Sequence, residues 1–93
     1  MRKGTAMEAE KFVPTGPLDV SEFAGRHPST VAMLATFRYG HLPLALQRTS
    51  RPCAELAFEA ARRLPDGPEL TAGLRKLREA KDCFVVAAVQ AAG

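Results

Sequence analysis

Two groups of apolar residues recur at three- and four-residue intervals in the second half of the chain, and charged residues occupy positions between them. This period places each group on one stripe of an α-helix. The later stripe consists of Leu70, Leu74, Leu77, Phe84, Ala87, Ala88 and Ala91. The earlier stripe consists of Leu56, Ala57, Ala60, Ala61 and Leu64. Each stripe predicts a helix with one buried face.

Residues 64–69 separate the two stripes and contain two prolines and a glycine. Asp66 is a candidate cap for the later helix, and Pro68 suits a first helical turn. Helices joined by so short a turn pack against each other, so the sequence predicts an antiparallel helical hairpin over residues 51–91. Glu59 and Arg63, at i and i+4, should form a surface pair.

Two helices are predicted upstream of the turn, and the second of them contains the first arm of the hairpin. The first should begin at residues 28–30 with a hydroxyl cap and end near Gly40. The second, over residues 43–64, should be kinked at Pro52, which has no amide hydrogen to donate. No stretch alternates as a strand would. The predicted fold is therefore all-α: a short N-terminal helix, a kinked helix and a long helix, of which the last two form the hairpin.

Residues 1–28 are predicted to be a leader, distinct from a helical-hairpin domain at residues 29–93. Prolines and glycines interrupt the leader, and only a short helix near residues 20–24 is expected, capped by Asp19 or Ser21. Its sparse apolar residues are Phe12, Val13, Leu18, Val20 and Phe23. These side chains either dock on a neighbouring subunit or belong to a mobile tail, and the sequence leaves both interpretations open.

The length of the chain predicts self-association, and its charge is compatible with an anionic partner. A helix pair of about 40 residues buries too little apolar surface to be stable alone, so we expect a homo-oligomer. The net charge of +3 is a mild excess that permits an anionic partner. The first 28 residues carry four basic and four acidic side chains, so the whole excess lies in the predicted helical domain.

The cysteines and the absence of certain motifs indicate a cytoplasmic, non-catalytic protein. Cys53 and Cys83 are expected to be buried free thiols in a reducing compartment, although a bridge between them is conceivable. No apolar run follows the basic start of the chain, and no stretch is long enough to span a membrane. No nucleophile, phosphate-loop or metal-ligand motif is present, so we expect no enzyme activity, cofactor or metal.

Polar and aromatic side chains suited to a nucleotide are concentrated around residues 37–51. The set consists of Arg38, Tyr39, His41, Gln47, Arg48 and Arg51. A tyrosine ring stacks on a base, and arginine binds phosphate through paired donors. Histidine and glutamine can bond to base or ribose edges. The alternative is that Phe37 and Tyr39 pack the hairpin while the arginines form a solvated face.

Lys81 occupies the apolar stripe between Leu77 and Phe84, where an apolar residue is expected. One interpretation is a lysine at the edge of the stripe whose ammonium reaches solvent. The other places Lys81 at a subunit junction, where copies of the chain together bind an anion.

Several short motifs resemble a known family. They are Phe37-x-Tyr39-x-His41 followed by Pro43 and Gln47, then Glu55-Leu56-Ala57, then the turn at residues 64–69, then Leu74-x-x-Leu77-x-Glu79-Ala80-Lys81. They are similar to the helical-hairpin cyclic-nucleotide sponges of phages, which counter the CBASS and Thoeris immune systems of bacteria. The resemblance covers residues 37–91.

The resemblance implies a homohexamer in the bacterial host cytoplasm that binds cyclic dinucleotides, cyclic trinucleotides or cyclic ADP-ribose signals without cleaving them. Tyr39 matches the base-stacking tyrosine of the family, and Arg48 or Arg51 would take the phosphate role. The chain departs from the family pattern at Gly40, which separates Tyr39 from His41.

Two other functions are compatible with the sequence. A small helical module could bind a host protein through Leu42, Leu44 and Leu46 together with the leader. Duplex DNA binding is the weakest interpretation, because no helix-turn-helix pattern organises the arginines it would need. Those arginines are Arg38, Arg48, Arg51, Arg62 and Arg63.

Overall fold

A computed structural model of the protein describes residues 19–92, and this part of the chain contains helices and no strand. A short 3-10 helix, Val20–Phe23, is followed by α1 (Pro28–Ala35), α2 (Leu44–Arg63) and α3 (Pro68–Ala92). The predicted all-α fold and the helical hairpin of α2 and α3 are confirmed. The predictions for Phe12, Val13 and Leu18 lie outside the described residues.

The core lies where α1 crosses one side of the hairpin. Three small residues of α2, Ala54, Ala57 and Ala61, are fully buried. Leu70 and Leu74 of α3 are also buried, and α1 contacts both long helices. Alanines at the contact let helices approach closely, and this explains why the α2 stripe is rich in them.

The opposite side of the hairpin is uncovered in the described chain, and here the predicted stripes are only partly buried. Leu56 and Leu64 of α2 are 57% and 50% exposed, and Phe84 of α3 is 54% exposed. The prediction that the whole α3 stripe is buried is therefore wrong beyond Leu77. The reason is that α1 packs on one face of the helix pair and leaves the other face without a neighbour.

Helix α1 ends earlier than its sequence predicts. It stops at Ala35 instead of near Gly40, because Thr36 caps it: the Thr36 hydroxyl donates to the Met33 carbonyl at 2.6 Å. Leaving the helix here allows Phe37 and Tyr39, each 1% exposed, to enter the core.

The N-terminus of α1 is capped by an imidazole, where a hydroxyl cap was predicted. Nδ1 of His27 accepts the Ser29 amide at 3.0 Å, and Pro28 occupies the first helical position. His27 therefore has a structural role at the start of the helix.

Part of the predicted leader packs on the chain's own hairpin. The short helix forms with Asp19 as its cap, as predicted. Phe23 is 3% exposed and meets the Phe58 ring edge-to-face, with centroids 5.3 Å apart. Arg62 pairs with Glu22 at 2.8 Å beside this contact. Phe23 thus packs within its own chain and has neither of the two roles that the sequence left open, docking on a neighbouring subunit or part of a mobile tail.

Asp66 does not act as the predicted helix cap of the later arm; its carboxylate binds residues at the start of α1. Oδ1 accepts from Arg26 Nε at 3.0 Å and from the Thr30 hydroxyl at 2.8 Å, and Oδ2 accepts from the His27 amide at 3.0 Å. The remaining Arg26 nitrogens donate to the carbonyls of Ala61 and Leu64, at 2.6 and 2.7 Å. The guanidinium thereby binds carbonyls that the end of α2 leaves without helical partners.

Pro52 lies inside α2, and the helix continues through it. The neighbouring Cys53 is buried with a free thiol, as predicted. Cys83 is also free but exposed, so its predicted burial is wrong, because its position in α3 is about half a helical turn away from the buried Leu74.

Candidate functional site

The residues predicted to bind a ligand fall in three places. Arg38, His41 and Lys81 line one cleft, Gln47, Arg48 and Arg51 line a second, and Tyr39 lies in the core. The two clefts share no lining residue. The chain therefore does not assemble the predicted residues into a single site.

Tyr39 is 1% exposed, so neither face of its ring is available to a base in this conformation. Burial raises the pKa of its hydroxyl, and the positive charge of Arg51 partly opposes that rise. Of the two roles considered for this tyrosine, the structure places it in the packing role.

The first cleft, here called the basic cleft, lies between the segment that follows α1, the first half of α2 and the C-terminal half of α3. Its volume is about 340 Å³. It is lined by Thr36, Arg38, His41, Leu42, Ser50, Lys81, Asp82, Val85 and Val86. Three basic side chains from segments 40 residues apart in sequence thus meet around one opening, with an apolar wall beside them.

Lys81 lies on the wall of the basic cleft, and its side chain is 14% exposed. Its Nζ lies 2.9 Å from Asp82 Oδ1 and 3.5 Å from the Thr36 carbonyl oxygen. The Phe37 ring centroid is 6.0 Å from the same nitrogen, within the range of a cation–π contact. These contacts hold the Lys81 ammonium against the segment that directly follows α1.

Charge in the basic cleft favours an anion. Arg38 is exposed and has no ionic partner within residues 19–92. Lys81 forms an ion pair with Asp82, whose side chain is 60% exposed. An anion entering the cleft therefore meets one guanidinium without a carboxylate partner and an ammonium already in position.

Ser50 also lines the basic cleft, at a position where the sequence predicts no ligand-binding residue. It is 2% exposed, and its Oγ has no hydrogen-bond partner in the described part of the chain. A buried hydroxyl without a partner costs about 1–3 kcal/mol. The one sign of Ser50 in the sequence is its helical spacing: it falls on the same face of α2 as Ala54 and Ala57, where a hydroxyl is not needed for packing.

The second cleft, here called the α2 cleft, is smaller, at about 170 Å³, and is lined by Leu44, Gln47, Arg48 and Arg51. Gln47 is 7% exposed, and its Nε2 donates to the Leu42 carbonyl at 2.8 Å. This bond fixes the amide, and its Oε1 is left without a partner among the described residues. Arg51 Nε is bonded to Glu55 Oε2 at 2.9 Å.

Of the five arginines considered for duplex DNA, the two at the end of α2 are paired with carboxylates. Arg62 pairs with Glu22 and Glu59, and Arg63 also pairs with Glu59. Hydrogen bonds and charge from Arg63 lower the pKa of the Glu59 carboxyl. These guanidiniums are neutralised by local carboxylates, which does not favour a phosphate backbone.

Within residues 19–92, no helix is both long and apolar enough to cross a membrane. The same residues contain no cluster of histidine, cysteine or acidic side chains arranged to hold a metal ion. Comparison of the chain with protein-family models, curated proteins and solved structures gave no match.

Proposed function

We propose that this protein binds a phosphate-bearing signalling nucleotide without catalysis and thereby sequesters it. The cyclic di- and trinucleotides and the cyclic ADP-ribose isomers are the ligands to which the sequence resemblance points. Sequestration of such a messenger would block bacterial immunity against phages. The observation that carries the proposal is the convergence of Arg38, His41 and Lys81 on one cleft.

In this proposal, Arg38 and Lys81 bind the phosphate. Charge-assisted bonds of this kind are stronger than neutral ones, and they strengthen further when the ligand excludes water. His41 adds a ring nitrogen at the same opening. The orphan hydroxyl of Ser50 gains a partner when an oxygen of the ligand, or a water held by it, reaches the floor of the cleft.

The apolar wall and the size of the cleft limit the ligand. Leu42, Val85 and Val86 supply a surface against which a base or ribose can pack. A volume of about 340 Å³ is at the low end of the roughly 300–1,000 Å³ typical of small-molecule sites. One nucleotide unit fits this volume better than a complete cyclic dinucleotide, so the rest of a larger ligand would extend beyond one chain.

We further propose that a second copy of the chain covers the uncovered side of the hairpin. This side contains an apolar groove of about 540 Å³ between α2 and α3, lined by Leu56, Ala60, Leu64, Gly73 and Leu77 among others. Gly73 costs α3 about 1 kcal/mol relative to alanine. A Cβ at this position would meet nothing within 4 Å, so packing inside the chain does not require glycine. Close approach of another helix would require it.

Titration calorimetry of the purified protein with a panel of cyclic nucleotides and cyclic ADP-ribose isomers tests the proposal. Arg38→Ala and Lys81→Ala should each weaken binding of the ligand that the wild type prefers. Arg75→Ala provides the matched control, because Arg75 is exposed on α3 and lines neither cleft. Absence of binding across the panel would refute sequestration, and equal affinities of the three variants would refute the assignment to this cleft.

The alternative function is a helical module that binds a host protein, and the same exposed apolar side favours it. Leu44, at the start of α2, is 63% exposed and lies outside the groove, so it offers a separate apolar contact. A pull-down that returns one stoichiometric protein partner, from a preparation that releases no nucleotide on heat denaturation, would support the module over the sponge.

A further inference from the structure

Of the described residues that line the basic cleft, Asp82 alone is acidic, and the proposed function gives it no contact with the ligand. A carboxylate repels phosphate, so a cleft that bound phosphate alone would be weakened by an acidic side chain on its wall. The side chain of Asp82 is 60% exposed and therefore accessible to a ligand. Its presence indicates that another part of the ligand, one that carries hydrogen-bond donors, lies beside it.

The Asp82 carboxylate has unused capacity to accept hydrogen bonds. Oδ1 forms the ion pair with Lys81 Nζ at 2.9 Å, and the carboxylate has no other partner within residues 19–92. An ionised carboxylate has about four acceptor sites and no donor. It therefore binds N–H and O–H groups of a ligand and disfavours groups that only accept.

The position of Asp82 relative to the apolar wall places these acceptors at the edge of a packed ring. Asp82, Val85 and Val86 are related as i, i+3 and i+4 in α3, so they are neighbours on one helical face. All three line the cleft, and Val86 is 55% exposed. A flat base that packs on the two valines thus presents one edge to the Asp82 carboxylate.

The cations lie on the other side of Asp82 from this wall. Lys81 Nζ contacts Asp82 Oδ1 and also lies 3.5 Å from the Thr36 carbonyl oxygen, two positions before Arg38 in the chain. The cleft is therefore polarised, with acceptors at one end and cations at the other. A nucleotide has the same polarity, because its base edge and its phosphate are at opposite ends of the molecule.

From this arrangement we infer that Asp82 makes the basic cleft selective for guanine, by accepting hydrogen bonds from N1–H and the 2-amino group of the base. Guanine is the common base that presents two adjacent donors on its Watson–Crick edge. Adenine and cytosine present an acceptor beside their amino group, and uracil presents one donor between two acceptors, so a carboxylate pairs poorly with each of them. The inference rests on the proposed function, because it concerns the base of the nucleotide whose phosphate binds Arg38 and Lys81.

The test is an NMR titration of the full chain with GMP, IMP and AMP, which share ribose and phosphate and differ in the base. GMP should bind at least about tenfold more tightly than AMP, and IMP, which keeps N1–H and lacks the 2-amino group, should lie between them. The methyl signals of Val85 and Val86 should shift on binding, because the ring current of a purine acts on methyl groups packed against it.

Asp82→Asn is the informative variant. It replaces one acceptor with an amide donor, and a side-chain amide matches the adjacent donor and acceptor of adenine. The ratio of GMP to AMP affinity should therefore fall to about one or reverse. The ratio is the measured quantity, because loss of Asp82 also releases Lys81 and should strengthen phosphate binding for all three nucleotides alike. Glu79→Gln is the control: Glu79 is exposed on α3 outside the cleft, so the same change in charge should leave the ratio unaltered.

Equal affinities for GMP and AMP would overturn the inference while leaving nucleotide binding intact. A guanine preference that persists in Asp82→Asn would overturn it as well, and would assign Asp82 to holding Lys81 only. If only larger cyclic ligands bind, the same ratio is measured with cyclic di-GMP and cyclic di-AMP. Absence of binding by every nucleotide would refute the inference and the proposed function together.

Discussion

The Thr30 hydroxyl donates to Asp66 Oδ1 at 2.8 Å, joining residues 36 positions apart. Thr30 is fully buried in α1, and Asp66 lies in the turn of the hairpin. The same carboxylate accepts from Arg26 and from the His27 amide. One side chain therefore holds the start of α1 against the hairpin turn.

This contact predicts acid-sensitive stability. The His27 amide, then the Thr30 hydroxyl, and more weakly Arg26, lower the pKa of Asp66 below its ordinary value of 3.8. Since the fold favours the ionised form, its contribution is fully present above 3.8 and is lost as the pH falls through the lowered pKa. Thermal denaturation should show Asp66→Asn to be less stable at neutral pH, with the gap to the wild type narrowing in acid. A gap of constant size would show that ionisation of this carboxylate does not contribute.

Alanine substitutions of Phe23 and Phe84 compare the stability contributed by the covered side of the hairpin with that contributed by its uncovered side. Phe23→Ala should cost roughly 3–5 kcal/mol of unfolding free energy, because it removes a ring packed against Phe58. Phe84→Ala should cost far less in a dilute monomer, because Phe84 is 54% exposed. Urea denaturation measures both. A large cost for Phe84 at high protein concentration alone would place that ring in an interface between copies.

Ser50→Ala should separate stability from ligand binding. Removing an unpartnered buried hydroxyl from a helix should leave the unliganded protein equally stable or more stable by about 1 kcal/mol. The same change should weaken binding in the basic cleft, since the ligand loses a polar contact at the floor. Thermal denaturation and calorimetry of one variant provide both numbers. A destabilised Ser50→Ala protein would mean that the hydroxyl already has a structural partner.

Leu56→Lys should disrupt self-association without unfolding the chain. Leu56 is 57% exposed and lines the apolar groove, so a lysine is tolerated in the monomer and costs free energy only when another copy buries it. Sedimentation velocity should show a smaller species than the wild type. Val89→Lys serves as the control, because Val89 is 52% exposed and lies outside the groove. A wild type that sediments as a folded monomer would exclude a second copy as the occupant of the groove.

Local patterns in the sequence determined the hairpin. The three- and four-residue spacing of Leu70, Leu74 and Leu77 defines a helical face, and Pro68 sets where the second helix begins. These signals operate within a few residues, so they need no knowledge of what packs on the helices. The predicted pair of Glu59 and Arg63 forms for the same reason.

The tertiary structure decided which parts of those faces are buried and where the polar groups meet. Leu56 and Leu74 both belong to apolar stripes that the sequence predicts to be buried, yet Leu56 is 57% exposed and Leu74 is 2% exposed. The difference arises because α1 covers a single side of the hairpin, a choice fixed by contacts such as those of Thr30 and Arg26 with Asp66. The separation of the predicted ligand-binding residues into two clefts has the same origin. The spacing of apolar residues along a helix shows which face of the helix is apolar, but only packing between distant segments determines what contacts that face.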